Sequence, residues 1–377
     1  MIRIERRLSR PAWLAVVVPF VALAVAFAAS SLVLVVTRHG SKRNPLPTFW
    51  HLLNAGFGDA GALTNTFISA TPLCLTGLAA AAAFRMQLFN IGAEGQLYVG
   101  AIGSAGVALV IGGSSGPLLI LAMVVSGVIA GALWALVPGV LRAFFQTNEI
   151  ITSLMLNYVA YWLLNYLIFD SLSYWRDTST LQAKTFPQGK ILPSASDWPV
   201  SQLGSLYVPL GFLIAIGVAA GLWLLFSRTR FGFEMQVIGD SPRAARYAGM
   251  RTRRKILAVM ALSGALAGLG GASQNGDFRH QLDSRGLQQA FYGYTGIIVA
   301  ALGRYNPFAV VLVAFLIGGL QNAGNTLQGA DFPAGLVGVI QGIILFSALG
   351  GELLIRHRVR IGRRVRKDAS AAPEAAA

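Results

Sequence analysis

Apolar stretches follow one another along this chain, most of them near the length needed to cross a bilayer, and that succession limits its fold more than anything else. A helix crosses the hydrocarbon core with roughly 20 mainly apolar residues. Such windows recur near 12–36, 64–84, 91–112, 117–141, 150–169, 206–227, 256–274, 290–303, 307–327 and 333–355, the eighth being short. Backbone polar groups in lipid must be satisfied within the segment, which makes each window a helix. The chain is therefore expected to be all-α: a polytopic bundle of about ten transmembrane helices. Only 12% of its residues are charged, about half the share of a soluble domain. On this reading residues 1–355 form one transmembrane domain, with connecting loops at 170–205 and 228–255. Residues 356–377 form a basic tail whose Ala-rich end, "ASAAPEAAA", reads as disordered.

Charge placement gives the orientation. With the N-terminus inside, 22 of the 30 Lys and Arg residues fall on that side and 8 on the other. Positive charge marks the cytoplasmic face, so both termini are expected there and the number of spans is expected to be even. The net charge of +15 is spent between and beyond the spans, which points to membrane lipid and not to nucleic acid. The start of the chain has a basic flank and an Ala26-Phe27-Ala28 of the kind cleaved in signal peptides. The apolar run continues through Val36, however, so it reads as a retained helix. The single cysteine, Cys74, sits in an apolar run and reads as a small buried hydrophobe.

The middles of the windows hold almost no ionisable residue, whereas proton-coupled carriers keep titratable groups within the membrane. No GxxxxGK[ST] phosphate loop, nucleophile–base–acid set or metal-ligand spacing is present. The chain is thus expected to be no enzyme, to bind no cofactor or metal, and to draw any driving energy from a partner on the cytoplasmic face. That face carries "GDSPRAARYAGM". Ser241 can cap a short helix, Pro242 suits its first position, and Gly249 can end it in the left-handed conformation. Two turns are unstable alone, so this helix must dock on its own bundle, on lipid or on another protein.

Four stretches, "FNIGAEGQLYVGA", "TNEIITSLMLNYVA", "GDSPRAARYAGM" and "YGYTGIIVAALGRYNPF", together resemble the permease subunits of bacterial ABC importers for nucleosides and simple sugars. The resemblance covers roughly 60–350, and the likeness is greatest to the longer permease of nucleoside importers that use a basic-membrane-protein-type lipoprotein. It implies a type II importer fold in the bacterial cytoplasmic (inner) membrane. The implied partners are a separate ABC ATPase that holds the ATP and Mg, a second permease as heterodimer or homodimer, and an extracytoplasmic substrate-binding lipoprotein. It also makes Asp240, Ser241, Pro242, Arg243, Ala244, Ala245, Tyr247, Ala248 and Gly249 the ATPase-coupling segment. The solute would be a nucleoside, with a ribose- or galactose-like sugar as the alternative. An ion-coupled carrier or a channel is the reading from another class.

Polar residues inside such a chain need partners or water. Asn90, Glu94 and Gln96 admit two readings: a capped helix start facing headgroups or the ATPase, or side chains pointing into the cavity between permeases. Asn148 and Glu149 suit a helix cap, and Asn157, two turns further, is expected to face the bundle or the pathway. Gln274, Gln321 and Asn322 either bond neighbouring helices or touch solute. Tyr174, Trp175 and Trp198 in the 170–205 loop suit either an interfacial belt or a docking surface. "GVIAG" (127–131), "GVAAG" (217–221) and "GALAG" (264–268) are spacings that let helices approach closely.

Overall fold

A computed structural model of the chain describes residues 2–6, 12–37, 44–170, 172–179, 181–327, 338–340, 342–343, 346–347, 350–351 and 357–361. These fall into two compact units, residues 1–40 with 339–377, and residues 41–338. In the first, α1 (Ala12–Thr37) is a 26-residue helix over the first apolar window. A strand β1 (Ile2–Arg6) pairs antiparallel with β4 (His357–Ile361), Ile2 opposite Ile361 and Arg6 opposite His357. The start of the basic tail is therefore a strand. Most of the 333–355 window and the tail beyond 361 lie outside the described residues.

The second unit is mostly helical, and among its described residues six helices are long and apolar enough to cross a membrane. They are α3 (Ala60–Arg85), α5 (Gly116–Phe145), α6 (Glu149–Asn165, running on as a π-helical turn to Asp170), α8 (Leu210–Arg228), α11 (Thr252–Ser273, with a π-helical extension to Arg279) and α14 (Pro307–Thr326). The 91–112 window forms the shorter α4 (Ala93–Val110). The 290–303 window is shorter still because the chain breaks at Phe291. A brief α12 (Ser284–Ala290) ends there and α13 (Tyr292–Leu302) begins, with Phe291 in the left-handed conformation at φ 49°. The 206–227 window starts with a strand, β3 (Leu206–Pro209), hairpin-paired to β2 (Val200–Leu203), before α8 takes over.

Burial separates core helices from peripheral ones. In α3 and α11, 78% and 67% of the apolar window is inside the fold, against 22% for α5. Along α5, Leu121, Val125, Ile129, Leu133 and Val137 form an exposed apolar stripe at four-residue spacing, as a lipid-facing or subunit-facing side requires. The buried side of α5 carries Gly127, Gly131 and Gly139. A Cβ on Gly131 would lie 2.2 Å from the Gly264 carbonyl oxygen, and one on Gly268 would lie 2.2 Å from that of Gly127. Gly100 of α4 meets the same spot, its Cβ position 2.4 Å from Gly268 Cα. Two of the three small-residue spacings in the sequence thus pack against each other. A Cβ on Gly217 or Gly221 would meet no atom within 4 Å, so these two contribute nothing to packing within the chain.

Two connecting segments are pinned to the bundle. In α2 (Pro45–Phe57), Trp50 and Leu53 are exposed while Leu52 is buried and Phe57 stacks on Phe315 of α14 at 5.6 Å. The segment leans on α14 by one face, as an amphipathic interfacial helix does. The 170–205 loop contains a five-residue helix, α7 (Leu181–Thr185). In that loop the Trp175 indole donates to the Ile102 carbonyl at 3.0 Å, and Trp198 is buried against Gly276. Both indoles turn inward and clamp the loop to α4 and α11, which leaves Tyr174 as the exposed aromatic of the three.

Candidate functional site

Three of the four stretches that carry the family resemblance meet at one point inside the bundle. The chain leaves α3 at Arg85, turns through residues 86–92 and enters α4 with Gly92 at its cap, so Asn90 precedes the helix without capping it. Asn90 Oδ1 accepts from Gly92 N at 3.0 Å and from Gln96 Nε2 at 3.0 Å. Its Nδ2 donates to Gln96 Oε1 at 3.0 Å and to Ser263 Oγ at 2.9 Å, and Ser263 in turn donates to the Ala79 carbonyl at 2.8 Å. The two amides close a ring that ties the turn to α11 and α3.

Glu94, in the first turn of α4, reaches across to α13. Its Oε2 accepts from Gly293 N at 2.5 Å and Tyr294 N at 3.3 Å, and its Oε1 accepts from Tyr98 Oη at 2.6 Å. The helix α13 begins at an apolar residue with no side-chain cap of its own. Glu94 supplies that cap from another helix, with its negative charge at the positive end of the helix dipole. Gly293 makes this possible, since a Cβ there would sit 2.2 Å from Glu94 N. From α6, Asn157 Oδ1 accepts from Gly95 N at 2.9 Å while its Nδ2 donates to the Ile91 carbonyl at 2.9 Å and Tyr294 Oη at 3.2 Å. Asn90, Glu94, Gln96 and Asn157 are all buried within the chain. At the start of α6, Asn148 caps by accepting from Ile150 N at 2.9 Å, and Glu149 pairs with Arg142 at 3.2 Å.

The remaining polar residues singled out in the sequence lie at the end of the bundle where α3 begins and α14 ends. A cavity of about 360 Å³ opens there, with Asn65, Ser69, Gln289, Gln321, Asn322 and Asn325 on its polar wall and Phe278 and Tyr292 on its aromatic one. Gln321 Nε2 donates to the Ala290 carbonyl at 3.1 Å, which fixes the amide and leaves its buried Oε1 without a partner. Asn322 Nδ2 is bonded to the Ala55 and Ala62 carbonyls at 3.3 and 3.1 Å, holding α2 and α3 to α14. Arg279 is the cation of the lining, and its charge is engaged: it pairs with Asp283 and donates to Gln274 Oε1 at 3.2 Å. Gln274 therefore serves the cavity by holding Arg279. Asn65, Ser69 and Gln289 were not distinguishable in the sequence from ordinary surface amides and hydroxyls. Nothing local reveals that the ends of α3, α12 and α14 enclose a space.

At the other end of α3, the 228–255 loop is more ordered than its sequence suggests. It forms α9 (Arg230–Asp240) and α10 (Pro242–Tyr247). The sequence reading missed α9, although Thr229 caps it by accepting from Gly232 N at 3.2 Å and Phe231, Met235 and Ile238 recur at helical spacing. In α10, Ser241 Oγ accepts from Ala244 N at 3.3 Å, Pro242 opens the helix, and Gly249 ends it at φ 75°. Met250 N bonds the Ala245 carbonyl and Gly249 N that of Arg246, the paired bonds of a Schellman stop. Ala245 is fully buried and anchors the helix to its own bundle. Asp240, Ser241, Pro242, Arg243, Ala244, Ala248 and Gly249 are exposed, and Tyr247 is 94% exposed. The base is stiff, since Gly239 packs on the backbone of Arg85 and Met86 and Lys255 pairs with Glu234 at 2.6 Å. From Asn65 to Arg85, α3 spans the ~30 Å between the cavity and α9, on which α10 packs.

Comparison with known proteins agrees with this architecture. Residues 62–349 match the family model described as branched-chain amino acid transport system / permease component. The chain is 34% identical to the guanosine ABC transporter permease protein NupP of Bacillus subtilis, over 87% of this chain and 91% of that one. It is 33% identical to the glucose ABC transporter permease protein TsgB13 of Haloferax volcanii, over 96% and 94%. To the nucleoside ABC transporter permease protein NupB of Lactococcus lactis it is 29% identical, over 88% and 90%. A chain of membrane-length helices with such relatives belongs to the permease-component family of branched-chain amino acid transport systems, and is a multi-pass membrane subunit of an ABC transporter that conducts transport and is not an enzyme.

Proposed function

We propose that this chain is a permease of a bacterial nucleoside importer, resident in the cytoplasmic (inner) membrane. The similarity to NupP over nearly all of both chains carries the reading. The amide-lined cavity, whose one arginine is already paired, suits an uncharged polar solute. A sugar is the second reading, favoured by the similarity to TsgB13. The test is uptake of labelled nucleosides, ribose and glucose by cells with and without this chain, the rest of the transporter being intact. Loss confined to nucleosides is the expected result, and loss confined to a sugar would replace it.

The chain has ten spans in this proposal, with both termini cytoplasmic. Pairing of Ile2–Arg6 with His357–Ile361 supports an even number, because residues that share a ladder lie on one side of the membrane. A permease component works with an ATPase and a substrate-binding protein. Here the ATPase, a separate chain holding ATP and Mg, receives α10 in a surface cleft, while a second permease completes the pathway and a lipid-anchored binding protein delivers solute on the outer side. Asn90, Glu94, Gln96 and Asn157 frame the pathway as internal bolts, and Gln321 and Asn322, with Gln274 behind them, form part of its wall.

The buried position of Ala245 decides how coupling is tested. Ala245→Glu would dislodge α10 from its own bundle and report on folding. Ala244→Glu and Tyr247→Asp alter only its exposed face. Each is expected to lower substrate-stimulated ATPase activity at least about tenfold, corresponding to ~1.4 kcal/mol of lost contact, with unchanged melting of the purified chain. Full stimulation in both variants would remove α10 from the coupling role.

A further inference from the structure

At the end of the bundle that carries α10, α3 and α8 finish and α14 starts at one corner. Arg85 closes α3, with its guanidinium 4.8 Å from the ring of Phe226 on α8. Its Nε is buried against that helix, whereas its two terminal nitrogens reach the surface. Among the described residues this guanidinium has no ion pair and no hydrogen bond. Next to it in sequence, Phe84 meets Tyr305 edge-on at 5.7 Å, which brings the exposed Arg304 to the same corner. The segments that build the corner supply no counterion, since 60–93, 205–233 and 284–330 contain no Asp or Glu. On α9, Glu234 is taken by Lys255, and Asp240 makes no ion pair among the described residues. From the corner an aromatic wall runs into the spans. Trp223 of α8 and Phe308 of α14 lie 6.0 Å apart and are 41% and 48% exposed. Leu312 and Leu316 continue the exposed face of α14 at four-residue spacing.

We propose that this corner holds an anionic phospholipid, with its phosphate on Arg85 and Arg304 and an acyl chain along Trp223, Phe308 and Leu312. Guanidinium groups take phosphate oxygens through paired N–H donors, and a headgroup supplies the negative charge that the three helices lack. The wall decides for lipid over an acidic protein surface. Trp223 lies ~7 Å inside the end of α8, at the level where aromatic rings settle between headgroups and tails. A soluble partner could answer the arginines from outside, but it could not cover that wall. The site is also placed to matter, because Gly239 of α9 packs on the backbone of Arg85 and Met86. A bound headgroup therefore braces the helix on which α10 rests.

The test is lipid retention by the purified full chain in a neutral detergent, read by native mass spectrometry. Phosphatidylglycerol is expected to be retained at least about fivefold better than phosphatidylcholine. Arg85→Gln and Arg304→Gln should each weaken phosphatidylglycerol about fivefold, the worth of one cation beside an anionic headgroup, and leave phosphatidylcholine unchanged. Phe308→Ser should weaken both lipids, because it removes the wall and not the charge. Arg254→Gln deletes an exposed arginine elsewhere on this end of the bundle and should change neither. Arg304 lies on an exposed turn, so its variant carries the test if Arg85→Gln fails to fold. Equal retention of the two lipids, or an equal loss in Arg254→Gln, would overturn the site in favour of diffuse charge. Displacement of phosphatidylglycerol by glycerol 3-phosphate at matching concentration would show a phosphate site without a lipid and overturn it as well. Unchanged retention in Arg85→Gln and Arg304→Gln, with the ATPase no longer co-purifying, would assign the arginines to an acidic protein surface instead.

Discussion

Leucine at Gly268 is expected to prevent the bundle from closing. The α5–α11 contact is built backbone on backbone. Cβ positions on Gly131, Gly264 and Gly268 fall 2.2–2.3 Å from carbonyl oxygens of the facing helix, and Gly100 brings α4 onto the same patch. A side chain there has no flexible neighbour to push aside, because the obstacles are main chain and the Ala135 methyl. The helices would have to separate, and α11, one of the most buried helices, would lose contact with α4 and α5 together. Lipid tails are as apolar as the side chains they would replace, so close packing supplies much of what holds such helices together. Overpacking alone costs about 1–3 kcal/mol, and Gly268→Leu should exceed about 3 kcal/mol because no rotamer relieves it. The measurement is the fraction of monodisperse, detergent-extracted protein together with its melting temperature. Gly268→Ala should already lower both, while Gly217→Ala and Gly221→Ala, which point at open space, should change neither. Equal tolerance at all three positions would show that the close approach is not what holds the helices.

That contrast also shows how far the sequence could be read. Three identical spacings, 127–131, 217–221 and 264–268, looked alike as text, and only the fold distinguishes the pair that packs from the one that faces outward. Span existence was legible because apolar length is a local property. Span ends were less so: β3 occupies the start of one window, and α13 is shortened by a left-handed Phe291 that no residue preference announces. The short helix at 242–247 was legible because its cap, its proline and its terminal glycine are each local signals. What it leans on was not, since it packs on α9, a helix that the sequence reading missed. Polar residues inside spans could be found by inspection but not assigned. Asn90 and Gln96 satisfy each other six residues apart, whereas Glu94 finds two of its three donors 199 and 200 residues away.

Glu94 carries the second large effect, and its chemistry sets a graded outcome. Three donors converge on its two oxygens, the amides of Gly293 and Tyr294 and the hydroxyl of Tyr98, and Glu94, Tyr98 and Gly293 are buried. Glu94→Gln keeps an acceptor for the amides, and its own N–H2 can donate to a rotated Tyr98 hydroxyl. It therefore loses only the charge at the start of α13, and should cost about 1–2 kcal/mol. Tyr98→Phe removes one donor along with its bond and should cost about 1 kcal/mol. Glu94→Leu matches the volume but strands two amides and a hydroxyl. At about 1–3 kcal/mol for each of the three unsatisfied groups, it should cost ~3–9 kcal/mol, enough to deplete the folded chain. Adding Tyr98→Phe to Glu94→Leu should recover about 1 kcal/mol, because the hydroxyl left without a partner is gone. Melting of the four variants in one detergent tests the order Tyr98→Phe, Glu94→Gln, double variant, Glu94→Leu from least to most damaging. If Glu94→Leu were as stable as Glu94→Gln, the carboxylate would not be the cap of α13, and the meeting of the three sequence stretches would need another cause.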